Sequence, residues 1–299
     1  MKRIFSFSLL VLAMASCKKD NDLTVSNELT NTDDVATASS SSSATAKAVT
    51  VSTEAALKDA VKNAKPGDVI TISNTINLTS TLKLDVSGTS SAKITLQGGI
   101  LDGSKLPTGA RGVGLNGNFW IIKNMTIRKA KDNGIVVQNG GFNLMTGVTT
   151  TGCEDTGIQI YNGAHDNLVS FCTSTENFDK ANSGENADGF ACKLSSGKNN
   201  KFDHCTANHN SDDGWDLFGN PYSVIITNCT ASNNGFGGNG DGNGFKLGSA
   251  GQNIPHTVTN NRSNNNKKSG YDGNGNVGHM TMTGSTGSGN GGALFSRIF

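Results

Sequence analysis

The chain has 299 residues, a formal net charge of +1, 38 glycines and only 4 prolines, and asparagine recurs throughout. So small a net charge excludes the strong field that recruits nucleic acid or an anionic membrane surface.

Met1-Lys2-Arg3 is a short basic region, and Ile4 to Met14 is an apolar run of about a dozen residues, too short to span a bilayer and suited to a signal peptide. Ala15-Ser16 then places small residues before Cys17, which resembles a bacterial lipobox, although Met14 fits that box less well than leucine. Residues 1–16 are expected to be a signal peptide and Cys17 to carry a lipid; the alternative is ordinary cleavage beside an incidental cysteine. Lys18-Lys19-Asp20-Asn21-Asp22 resembles the charged tag of some surface-exposed Gram-negative lipoproteins. The expectation is an exported protein, on the outer membrane or cell surface or else secreted, tied to a membrane only by that lipid. Residues 23–48 are Ser, Thr, Ala and Asn with almost no large apolar side chains, so 17–48 should be a flexible tether. Residues 49–299 are enough for one elongated domain, expected to be a monomer.

Val49-Thr50-Val51 reads as a strand. Thr53 to Ala64 reads as an amphipathic helix with Ala56, Leu57, Ala60 and Val61 on one face and Ser52 or Thr53 as N-cap. Val69 to Ile72 returns as a strand. A helix there would cover the open end of a β stack, whose bare edge invites aggregation.

Beyond Asn118 a glycine followed by an apolar residue recurs at Gly134-Ile135, Gly157-Ile158, Gly189-Phe190, Gly214-Trp215, Gly244-Phe245 and Gly270-Tyr271. Short alternating runs separated by Asn, Gly and Asp lie between, which predicts an all-β solenoid of parallel coils with one short capping helix. Cys172, Cys205 and Cys229 each precede a threonine and each lie upstream of an asparagine, Asn177, Asn210 and Asn234, in one register. Stacked cysteines would fill the interior and stacked asparagines would bond along a turn. With Cys153 and Cys192 they make an odd set after Cys17, which argues against a complete disulfide framework and for small buried hydrophobes. Two intervals are long. Their extra residues fall at Asp179 to Glu185 and Gly235 to Asn243, each just before a Gly-apolar strand, and insertions on one face commonly mark a binding face.

That face carries Asp188, Asp212, Asp213 and Asp216. Asp188 and Asp213 occupy equivalent places in successive copies, so they should stack about 4.8 Å apart. Four converging carboxylates suit a hard cation with oxygen ligands, and calcium is expected. Alternation turns Trp215 and Leu217 inward and Asp216 and Phe218 outward. One coil on, Phe245 and Leu247 face inward and Lys246 outward beside Asp216, with Asp272 next in the row. Lys193 also faces outward. At this stage Lys246 is equally well read as a structural partner of Asp216 or Asp272.

NADGFACKL, NHNSDDGWDLF and GNGFKLG, in that order, resemble the pectate lyases of polysaccharide lyase family nine, over most of Val49 to about Asn276. The resemblance implies a right-handed parallel β-helix. It places the family's calcium on Asp188, Asp212, Asp213 and Asp216 and its base on Lys246. The implied reaction is β-elimination in an acidic pectic polysaccharide, polygalacturonate with little methyl esterification. The proton at C5, α to a carboxylate, goes to a neutral lysine, best at alkaline pH. The rhamnogalacturonan backbone stays open as substrate. A β-helix hydrolase using two carboxyls is a second reading, weakened by the lack of Gly-His-Gly and Arg-x-Lys motifs. A non-catalytic polyuronate-binding lipoprotein is a third. Lys193 is the reserve base, and Asp241 has no assigned role. The last coils are rich in Gly and Ser with no helix or closing loop evident, so a minimal or truncated member is expected.

Overall fold

The computed structural model describes residues 45–299. The signal peptide, Cys17 and most of the tether lie outside the described residues. Within them the chain winds as a right-handed parallel β-solenoid with one short helix. Each full coil gives one strand to each of three nine-stranded parallel sheets, the first and last turns being incomplete. The first described strand is Ala48–Val51, whose first residue lies inside the stretch expected as tether.

The helix Glu54–Lys62 closes the first coil. Thr53 is its N-cap, accepting from the Ala56 N–H at 3.3 Å. Leu57 and Val61 are buried beneath it, but Ala56 is exposed and Ala60 only half-buried. The buried stripe is therefore narrower than the sequence pattern suggested, because only one flank of the helix meets the sheet edge.

The Gly-apolar repeat builds one sheet in strict register: Ile135, Ile158, Phe190, Trp215, Phe245 and Tyr271 are successive partners, and Phe295, which follows Leu294 instead of a glycine, ends the row. The preceding glycines sit at the corner where this sheet meets the third. A Cβ on Gly214 would lie 2.5 Å from the Gly244 carbonyl oxygen and 2.9 Å from Ala231 Cβ. Only glycine lets successive coils close at that corner. From Phe190 onward the inward row is aromatic, with rings stacked at centroid spacings of 4.8, 4.8, 4.8 and 5.2 Å. This coil stack extends beyond Asn276, to Phe295–Ser296.

The second register is also as read. Asn177 donates to Asn210, Asn210 to Asn234, Asn234 to Asn266 and Asn266 to Asn290, at 2.8 to 3.0 Å. The ladder satisfies buried amide groups at the turn into the site-bearing sheet. Cys153, Cys172, Cys192, Cys205 and Cys229 are all free and buried.

Candidate active site

Phe190, Trp215 and Phe245 point into the core, so the residues after them point out. Ala191, Asp216, Lys246 and Asp272 are successive partners in that outer row. Asp188 and Asp213 precede the strands. Asp213 N–H donates to Asp188 Oδ1 at 3.2 Å, which ties the two together across one coil step.

The two insertions converge on Asp212. Its Oδ2 accepts from the Asn186 N–H at 2.9 Å, at the end of the first insertion, and its Oδ1 from the Asp241 N–H at 2.6 Å, in the second. The insertions also bond each other, Asn239 N–H to the Ser183 carbonyl at 3.1 Å. Their presence buries what an open sheet face would expose. Asp188 and Asp213 are fully buried and Asp212 and Asp216 are 4% exposed, a correction to the exposed patch that alternation alone predicts.

Asp188, Asp212 and Asp213 each offer a carboxylate oxygen within 4.8 Å of the others. Burial pushes all three carboxyls above their usual range; neighbouring carboxylates add to it, while Lys193 and Lys246 oppose it without cancelling it. Asp213 Oδ1 accepts from the Asn243 N–H and side-chain amide, at 2.6 and 3.0 Å. Its Oδ2 is buried without a hydrogen-bond donor. An orphaned buried carboxylate oxygen inside an all-oxygen cluster fits a hard divalent cation. Asp216 stands outside that trio: its Oδ2 accepts from Lys193 Nζ at 3.0 Å and its Oδ1 from the Phe218 N–H at 2.9 Å.

Lys246 faces a cleft of about 380 Å³, also bordered by Asp155, Lys193, Asp212, Asp216 and Phe218. Its Nζ lies 3.4 Å from Asp213 Oδ2, 3.2 Å from Asp241 Oδ2 and 5.9 Å from the Phe218 ring centroid. Burial pulls its pKa down, but Asp216, Asp213, Asp188 and Asp212 outweigh that and hold it above the ordinary lysine value. Its direct partners are thus Asp213 and Asp241, not Asp216 or Asp272. Asp272 is instead paired with Arg297 from the following coil, at 2.6 and 2.8 Å.

Asp155 escaped the sequence reading. Burial raises its carboxyl to about 6. The signal was available: Asp155-Thr156-Gly157 aligns with Asp212-Asp213-Gly214 in the repeat, and Thr156 Oγ1 donates to Asp188 Oδ2 at 3.1 Å.

A family model described as "Pel9A-like, right handed beta helix region" matches residues 35–298. Pectate lyase L of Paenibacillus polymyxa (strain SC2) is 37% identical over 205 residues, covering 62% of this chain and 45% of that protein. Pectate lyase L of Dickeya chrysanthemi is 30% identical over 180 residues, covering 58% and 42%. The crystal structure of pectate lyase Pel9A superposes with a TM-score of 0.73 at 30% identity, covering 78% of this chain and 64% of that one. The matched part is thus less than half the length of these two curated relatives.

Proposed function

The chain belongs to the Pel9A-like right-handed β-helix family, and from that premise we propose that it is a calcium-dependent lyase cutting acidic pectic polysaccharide, polygalacturonate first, by β-elimination. One observation carries the reading. Of the two amines on the cleft, Lys193 is held between Asp188 and Asp216, while Lys246 faces the orphaned Asp213 oxygen beside the buried carboxylate trio.

Asp188, Asp212 and Asp213, joined by Asp216, would hold the ion. When bound, calcium supplies positive charge for the substrate's carboxylate and for the negative charge that develops at C5. Lys246 acts as base and takes the C5 proton. The electrons of that C–H bond form the C4–C5 double bond and the C4–O bond breaks; the departing oxygen takes up a proton from solvent, to which Lys246 returns the one it removed. No water is consumed. A neutral amine is required, and the surrounding carboxylates favour the charged one, so turnover rises toward alkaline pH. Phe218, 45% exposed beside Lys246, offers an apolar face to a sugar ring.

The test is incubation with polygalacturonate and calcium, followed by the ultraviolet absorbance of the unsaturated product. Absorbance that grows with calcium and vanishes with chelator supports the reading. New reducing ends without absorbance would point to hydrolysis, and unchanged polymer length to a binding module. The same reading makes the protein an exported lipoprotein anchored at Cys17, supported by the lipobox-like stretch alone. Fatty-acid labelling lost in Cys17→Ser would bear that out.

A further inference from the structure

Lys193 is the second lysine of the cluster, and it is built into the site differently from Lys246. It follows the strand Phe190–Cys192, and its side chain is buried. Its Nζ donates to Asp188 Oδ2 at 2.9 Å, on its own coil, and to Asp216 Oδ2 at 3.0 Å, on the next. Two carboxylates on adjacent coils are thereby joined through one ammonium. Such a group is costly to bury unless its charge is answered, and here it is answered twice. The remaining oxygens of the pair are held by backbone, Asp188 Oδ1 by the Asp213 N–H and Asp216 Oδ1 by the Phe218 N–H. Lys246 borders the same cleft, but one of its partners, Asp241, is only half-buried, on the irregular second insertion.

We propose that Lys193 is an internal counter-ion of the cation site, a positioning residue and not a base. Without a divalent ion it neutralises and joins Asp188 and Asp216, keeping neighbouring coils closed over a carboxylate cluster that would otherwise repel. With an ion entering, its positive charge opposes the newcomer and weakens affinity, so the ion binds reversibly to a site that is already folded. This rests on the cation reading above, because the carboxylates it holds are those assigned to calcium.

The experiment titrates calcium chloride into chelator-stripped protein by calorimetry, beside thermal melts with and without chelator. Lys193→Met is expected to melt lower than wild type in chelator. Its calcium affinity should rise by about tenfold or more, since a positive charge a few ångströms from the ion has gone. Exposed Lys198→Met should change neither quantity. If Lys193→Met is too unstable to titrate, the comparison moves to Asp216→Asn with and without Lys193→Met, where one charge of each sign has been removed. The tightening should persist there. Calcium affinity unchanged or weakened on loss of Lys193 overturns the counter-ion role alone. No calcium binding by the wild-type chain overturns the metal reading and this inference together.

Discussion

The earlier and later coils of the site-bearing sheet share one backbone plan and differ in what they carry. At Ile135–Gln138 and Ile158–Tyr161 the inward row is aliphatic, and the outward row holds Val136 and Gln159. From Phe190 onward the inward row is a stack of flat rings, and the outward row holds Asp216, Lys246 and Asp272. The insertions join only the later coils. Rings about 4.8 Å apart match the spacing of adjacent strands, so the aromatic stack is a firm floor under charges that repel one another. The scaffold repeats, and the carboxylate trio and Lys246 sit where the floor is aromatic and the insertions form walls, with Asp155 reaching the cleft from the last aliphatic coil.

The largest effect should come from the cleft side. Lys246→Ala is expected to lower turnover by roughly a thousandfold while calcium and substrate still bind, because proton transfer is lost rather than contact. Lys246→Arg should be nearly as damaging, since a guanidinium stays protonated. Turnover and calcium affinity measured together check both, and near-wild-type turnover in Arg would make Lys246 an ordinary ion-pair lysine.

The floor is tested next. Trp215→Ala removes a fully buried ring between Phe190 and Phe245 and should cost about 3–5 kcal/mol of stability. Ile158→Val, in the aliphatic coils, should cost only about 1 kcal/mol. Denaturant melts give both numbers. Trp215→Ala should also weaken calcium binding in the fraction that stays folded, because Asp213 and Asp216 flank it in sequence; Ile158→Val should not.

The walls are subtler. Asp241 holds Asp212 through its backbone, while its carboxylate pairs with Lys246 and Lys268. Asp241→Asn keeps the backbone bond and removes a charge that favours the ammonium of Lys246. The alkaline rise in turnover should therefore shift to lower pH, read from a pH–rate profile, with turnover at the plateau within a few-fold of wild type.

The smallest effect lies far from the site. Glu54 accepts from the Thr79 N–H and hydroxyl, both at 2.8 Å, and pairs with Lys58. Burial opposes ionisation, but these donors outweigh it and hold the carboxyl down to about 2, against 4.5 unperturbed. A depressed carboxylate stabilises the fold above its unfolded pKa, and that support is lost as pH falls from about 4.5 through about 2. Melts of Glu54→Gln across this range should be flatter than wild type and nearly coincide with it at the acid end.

Much of this was legible in the chain itself. Glycine before a large apolar residue recurs because coils must close at a corner with no room for Cβ and then fill the core. Periodicity therefore settles the parallel coils, the stacked Cys and Asn registers, and the face to which Asp188, Asp212, Asp213, Asp216 and Lys246 belong. Tertiary structure decided how that face is enclosed and who pairs with whom. Lys193 follows the end of its strand, where alternation no longer dictates direction, and only the adjacent coil supplies Asp216 as its second partner. Asp272 turns to Arg297 because the following coil brings a guanidinium within reach. The cluster is buried because two irregular insertions fold over it and donate to Asp212, and irregular backbone has no period from which its path can be read. Strand spacing is a local property carried by every repeat, whereas burial and charge pairing depend on segments far apart in the chain meeting at one place.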